Sequence, residues 1–221
     1  SLRPFRTPHH TATTVSICGG GGGKIHPGEI SKAHYGVLFM DELPEYTRRT
    51  LESLRQPLED KIITITRSGS AVSFPADFML CASMNPCPCG NYGSATLECR
   101  CTPAQIQKYR NKISGPLLDR IDLQVEVDGV KYSDLAGDGE EEPSAAVKAR
   151  VEKARAIQRE RLRGENINVN AGMGEKQIKK YCRLSAECES VLCAAFNTLK
   201  LSARARSRII KVARTIADLA F

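Results

Sequence analysis

Tryptophan is absent, and aromatic residues together make up 5% of the 221 residues. The missing Trp by itself excludes little. No run of about 18 apolar residues occurs, so no membrane-spanning helix is expected. The opening stretch, Ser1-Leu-Arg-Pro-Phe-Arg-Thr-Pro-His-His10, lacks both an initiator Met and the apolar core of a secretory signal. It reads as the middle of a domain, and the chain reads as a fragment. No GxxxxGK(S/T) appears, so the sequence has no phosphate-binding loop of that kind. The five glycines Gly19 to Gly23 do not supply one. Lys24 is followed by Ile25-His26-Pro27, with no hydroxyl for Mg²⁺ and a proline at the would-be helix start. No internal repeat is visible.

Several features stand against these absences. Apolar residues reach 41%, enough for a real core in one large domain or two modest ones. The net charge of +7 permits contact with nucleic acid without showing it. The nine cysteines are not spread like a secreted disulfide framework. Four sit close together, as Cys87-Pro-Cys89 and Cys99-Arg-Cys101, which favours metal or redox chemistry in a cytoplasmic protein.

Residues 1–35, rich in Gly, Thr, Pro and His, read as an irregular, mobile insertion. Gly36-Val-Leu-Phe-Met-Asp-Glu42 reads as a buried strand of a parallel sheet ending in two carboxylates. A helix is predicted over 47–58 with Thr47 as N-cap. A hairpin follows, with strands at 62–66 and 71–74 joined by Arg67-Ser-Gly-Ser70. Residues 78–84 form a further apolar run ending at Asn85-Pro86. A helix over 103–112 has Thr102 as N-cap and Pro103 at its first position. Another strand is predicted over 121–127. Residues 130–143 form an acidic linker, and four helices are expected near 144–162, 174–182, 185–199 and 203–220. The expected fold class is therefore α/β over 1–129 with a small all-helical part over 144–221.

The acid pair has the arrangement of a Walker B motif. Carboxylates at the C-terminal end of a parallel strand lie where α/β sheets bind ligands. Asp41 would order Mg²⁺ and Glu42 would activate the water that attacks a γ-phosphate. The plainer alternative is a strand that happens to end in Asp-Glu. Asn85 ends the next core strand and could hold that water, or it could simply make an Asn-Pro turn. Arg120 could reach a neighbouring subunit's nucleotide as an arginine finger, or pair with Asp119 or Asp122. Arg204 lies in the first turn of the last helix, where a cation opposes the helix dipole and a ligand would compensate. Cys87, Cys89, Cys99 and Cys101 could form a tetrahedral thiolate site for structural Zn²⁺. Free thiols or a reversible disulfide are the alternatives. Lys61 and Arg67, at the base and tip of the hairpin, could track a nucleic-acid backbone, or be ordinary solvated charges. His9 and His10 read as loop residues.

Together these stretches resemble the magnesium-chelatase-like AAA+ ATPases of the ComM/YifB type. The resemblance rests on Arg3-Pro-Phe-Arg-Thr-Pro-His-His10, Pro27-Gly-Glu-Ile-Ser-Lys-Ala-His34, and Gly36 to Pro44. It continues in Met84-Asn-Pro-Cys-Pro-Cys-Gly90, Ser114 to Leu123, and Ser202-Ala-Arg204 leading to 211–219. It implies a partial AAA+ core and a helical lid. Asp41 and Glu42 would be Walker B, Asn85 sensor 1, Arg120 the finger and Arg204 sensor 2. The glycine-rich stretch would be the insertion in the second helix, and the hairpin the one preceding sensor 1. It further implies ATP and Mg²⁺, a ring of subunits, and work on DNA as a helicase or branch-migration motor. A magnesium-chelatase motor subunit and a non-catalytic assembly module are the alternatives. The family's Walker A would lie ahead of residue 1, so the isolated chain is expected not to hydrolyse ATP appreciably.

Overall fold

The computed structural model of the chain describes residues 3–22, 24–67, 70–94, 96–127, 129 and 142–220. Most of the acidic linker (130–141) and the two residues at the hairpin tip lie outside that set. The chain divides into two compact units between Gly129 and Val130.

In the first unit, strand β1 (Phe5–Arg6) leads to helix α1 (Thr14–Cys18) and a small hairpin of β2 (Gly19–Gly20) and β3 (His26–Pro27). Helix α2 (Glu29–Lys32) and strand β4 (Val37–Met40) follow. Next come α3 (Arg48–Ser53), α4 (Arg55–Asp60), the hairpin of β5 (Ile62–Arg67) and β6 (Ser70–Pro75), and β7 (Met79–Ala82). Helices α5 (Pro103–Arg110) and α6 (Gly115–Leu118) close the unit. The main sheet has the order β1-β4-β7, all parallel. Leu38 and Met40 of the central strand are fully buried, against Ile17, Ile30, Leu51, Leu54 and Leu117. Each such side chain is worth about 1.5–3 kcal/mol relative to exposure.

The parallel sheet with helices, and the separate helical unit, are the α/β class the sequence implies. Several local expectations match closely. Thr47 caps α3 by accepting from the Thr50 amide at 3.3 Å. Thr102 and Gln105 form a reciprocal capping box at α5, with Pro103 at its first position. The hairpin pairs residue for residue from Ile62–Pro75 to Arg67–Ser70.

Three expectations need correction. The stretch 14–32 is not irregular: it forms α1, the β2–β3 hairpin and α2. Its glycines serve the turn. Gly19 has φ 103°, and a Cβ there would lie 2.6 Å from the His26 carbonyl oxygen. The helix over 47–58 breaks at Leu54 into α3 and α4. The strand over 121–127 does not form: these residues have no ladder partner among the described residues, and Leu123, Val125 and Val127 are 67%, 80% and 86% exposed. An apolar alternating run without a neighbour to hydrogen-bond has nothing to make it a strand.

The second unit comprises α7 (Ser144–Arg161), α8 (Glu175–Tyr181), α9 (Ala186–Leu199) and α10 (Ala203–Leu219), with a 3₁₀ turn at Asn170–Gly172. Leu162, Met173, Ile178, Cys182 and Ile210 form its core. Beside them lies a buried polar knot. The Arg161 guanidinium donates to both oxygens of Asp218, which is 1% exposed. Asn170 donates to Asp218 at 2.8 Å and to Thr215 at 3.1 Å.

Candidate active site

The site is built by the register of β4 and β7. Phe39 pairs with Cys81 and Met40 with Ala82, so the residues that follow the two strands emerge side by side. Backbone bonds carry the pairing past the strands: Ser83 N to Met40 O at 3.2 Å, and Leu43 N to Ser83 O at 2.9 Å. Asp41 and Glu42 therefore stand next to Ser83, two residues before Asn85.

The Ser83 hydroxyl donates to Asp41 Oδ1, which also accepts from the Glu42 amide at 3.1 Å. The Glu42 amide is within 3.2 Å of Ser83 Oγ as well. This network orients the Asp41 carboxylate while leaving the residue exposed. Glu42 adopts the left-handed conformation, φ 50° and ψ 51°. A non-glycine residue held there carries roughly 1–3 kcal/mol of strain, a cost that collects at functional positions. Its side chain is about half exposed, and Oε2 lies 3.3 Å from His10 Nδ1. His10 is held in turn: its ring lies tilted against His9 at 4.1 Å between centroids and meets the Tyr46 ring edge-on. The buried Tyr46 hydroxyl donates to the Pro8 carbonyl, pinning this segment. Burial, and then the Asp41 charge, push the Tyr46 phenol up.

Ser83 and Tyr46 carry no signal singled out in the sequence, and His10 reads there only as a loop residue. Ser83 could have been found by counting two residues back from Asn85 to the strand end. His10 could not, because its approach to Glu42 depends on how the chain after β1 turns over the sheet.

Asn85 is exposed, as placed by the end of β7. Behind it lies Tyr109 of α5, whose phenol is pushed up by burial and by Glu45, with the Asn85 backbone pulling it the other way. Arg120 follows α6. It donates to the Pro116 carbonyl at 2.6 Å and to Glu59 near the end of α4, a partner that neither reading of the sequence named. Its Nε is buried with no hydrogen-bond partner. Arg120 and Glu59 stand 61 positions apart in the chain, so only the fold could reveal the pairing.

The hairpin residues differ from each other. Lys61, also left-handed at φ 61°, forms an ion pair with Asp77 at 3.2 Å. Arg67 donates to the carbonyl of Gly21, joining the β5–β6 hairpin to the glycine-rich one. Lys24 and His26 are exposed on the latter. Arg204 lies exposed in the first turn of α10, within the second unit.

The four clustered cysteines do converge. Their Sγ atoms all lie within 4.8 Å of one another, and no cysteine is in a disulfide.

The donor set around Asp41, carboxylate and hydroxyl oxygen, is the hard-oxygen chemistry that suits Mg²⁺. Among the described residues, nothing makes a phosphate cradle of strand, glycine loop and lysine.

Comparison with known proteins identifies the lineage. Residues 1–135 match the family model described as magnesium chelatase, subunit ChlI, and residues 141–221 match its C-terminal counterpart. Competence protein ComM of Haemophilus influenzae is 47% identical over 218 residues, covering 98% of this chain and 42% of that protein. YifB of Escherichia coli K12 is 45% identical over 221 residues, with the same shares covered. A Mycobacterium tuberculosis H37Rv protein, Rv2897c, is 38% identical over 218 residues, again covering 98% and 42%. The chain thus spans about two fifths of the length of these relatives. An AAA+-type protein with a partial α/β core and a helical unit, the chain belongs to the magnesium chelatase ChlI family.

Proposed function

We propose that these residues form the Walker B-to-lid portion of an ATP-hydrolysing ring motor that acts on DNA. The observation that carries this reading is the placement of Asp41 and Glu42 beside the Ser83–Asn85 strand end in parallel register. Asp41, fixed by Ser83, would hold Mg²⁺ through water; the ion would neutralise phosphate charge as the γ-phosphoryl group leaves. Glu42 takes the proton of the attacking water, and Asn85 orients that water. His10 holds the Glu42 carboxylate in place. Arg120 serves the nucleotide of the adjoining subunit, and Arg204 the nucleotide of its own. In the lone chain Arg120 rests on Glu59, so subunit contact has to compete with that pair. The phosphate cradle comes from residues outside these 221.

DNA is favoured as the client by the relationship to a competence protein and by the basic charge. Lys24 is exposed on the glycine-rich hairpin, to which Arg67 joins the β5–β6 hairpin. The family description favours a second reading, the motor subunit of a chelatase, in which turnover would require a porphyrin-binding partner.

Phosphate release, measured with and without branched DNA, tests both readings. The full-length protein should turn over ATP, stimulated by DNA, and Glu42→Gln should lower kcat by about 10²–10⁴-fold. The 221-residue chain should stay at background. Turnover by that chain, abolished in Glu42→Gln, would overturn the external cradle. Stimulation only by a porphyrin-binding partner would overturn DNA as client.

A further inference from the structure

Residues 86–101 link the strand end that carries Asn85 to helix α5, and they contain no helix or strand among the described positions. Fifteen described residues without secondary structure need something else to fix them. An apolar core does not do it: Tyr92 and Leu97 are 47% and 61% exposed, and of the described residues only Cys87 is buried. What brings the two ends of the loop together is sulfur. Cys87 and Cys89 lie at its start, Cys99 and Cys101 at its end.

The geometry is that of ligands around a common centre. Sγ separations are 3.3 Å for Cys87–Cys89, 3.7 Å for Cys87–Cys99 and 3.6 Å for Cys89–Cys99. With Zn–S bonds near 2.3 Å, the edges of a regular tetrahedron are about 3.8 Å. The observed separations are far too long for a sulfur–sulfur bond. They do not fit an iron–sulfur cluster either: at most two of its thiolates share an iron, whereas here Cys87, Cys89 and Cys99 are all mutually close. The Tyr92 amide donates to Cys87 Sγ at 3.3 Å, the kind of outer contact that supports a metal thiolate. Arg110 of α5 lies over the Tyr92 ring at 5.2 Å, bringing positive charge toward a centre that would carry net negative charge.

We propose that Cys87, Cys89, Cys99 and Cys101 bind one Zn²⁺ ion, which clamps the exit of β7 to the start of α5. Cys87 is two residues past Asn85, and Cys101 immediately precedes the Thr102 cap. The metal is structural and takes no part in proton transfer. Through the loop it positions Asn85, a consequence that rests on the ATPase reading; the metal site itself does not.

Metal analysis of protein purified without chelator, together with limited trypsin digestion, tests the site without nucleotide. About one zinc per chain is expected, with little iron. Replacement of the metal by Co²⁺ should give the intense charge-transfer and visible bands of a tetrahedral thiolate centre. Cys99→Ser/Cys101→Ser should lose the metal, whereas Cys188→Ser/Cys193→Ser, on the exposed face of α9, should keep it. Arg100 is the only Lys or Arg within 86–101, so trypsin cuts the loop at one place. Zinc removal should speed that cut at least about tenfold, because the loop then opens locally. Well under one zinc, iron in its place, a mass two daltons lower per bridge from disulfides, or an unchanged cut rate would each overturn the proposal. Failure of the full-length protein to hydrolyse ATP would sink the function reading and leave the metal result standing.

Discussion

At the residue scale, the second unit shows how a single buried acid can hold helices together. Asp218, near the end of α10, accepts from Arg161 of α7 and from Asn170 in the turn between α7 and α8. Arg214 Nε lies 3.2 Å from it as well. Burial raises the Asp218 carboxyl, but the Arg161 and Asn170 hydrogen bonds and the Arg161 charge outweigh it, so the net direction is down. Its folded pKa therefore lies below the unfolded value of about 3.9, and its stabilisation is fully present above that value. The stabilisation is lost as pH falls through the depressed folded pKa. Asp218→Ala should cost about 3–5 kcal/mol at neutral pH, since it leaves the Arg161 charge without its buried partner. Circular dichroism melts of wild type and variant should show that gap shrinking as pH falls below about 4. A gap that stays constant to about pH 2 would show that the acid stabilises through packing alone.

At the element scale, close approach of backbones decides where the sheet forms. Gly36 precedes β4, and the Val37 amide donates to the Pro4 carbonyl at 2.8 Å to start the β1–β4 ladder. A Cβ on Gly36 would sit 1.9 Å from that same oxygen. Backbone cannot yield there as a flexible side chain would. Gly36→Ala should therefore displace β1 and destabilise the unit by about 1–3 kcal/mol, the usual cost of overpacking. Hydrogen exchange should localise the loss to the amides of residues 5–6 and 37–38; uniform protection across β1 and β4 would count against it. Much of this layer was legible beforehand. The hairpin, the two helix caps and the acid-terminated strand all carry their signal within a few neighbouring residues. The strand expected over 121–127 carries the same local signal and does not form, because pairing depends on a neighbour that local sequence does not specify. Likewise β4 reads as an unbroken apolar run, suited to a sheet covered on both faces. Here Leu38 and Met40 are buried while Val37 and Phe39 are only half-buried, with Phe5 stacked on Phe39 and itself 63% exposed. For the site, Asp41, Glu42 and Asn85 were visible as strand endings. His10 and the Arg120–Glu59 pair were not, since each joins residues far apart in the chain.

At the scale of the whole molecule, the proposal of a DNA client meets an uneven distribution of charge. The sequence pointed to Lys61 and Arg67, yet Lys61 faces Asp77 and Arg67 reaches the Gly21 carbonyl. Residues 130–221 hold 18 of the 32 basic side chains and 12 of the 25 acidic ones, so they carry +6 of the net +7. The α/β unit is nearly neutral. A polyanion is drawn by summed field more than by single side chains, and neutralised phosphates release counterions, which makes binding fall with salt. On α7, Lys148, Lys153, Arg155 and Arg159 are all exposed. If DNA is the client, Lys153→Gln/Arg155→Gln/Arg159→Gln should weaken duplex binding more than Arg67→Gln does. The slope of log affinity against log salt should become shallower by about 0.9 for each phosphate no longer neutralised, so by up to about 3 in the triple variant. Fluorescence anisotropy over a salt series measures both. A slope unchanged in the triple variant but reduced in Arg67→Gln would return the DNA to the hairpin; slopes unchanged in both would remove DNA electrostatics from these residues altogether.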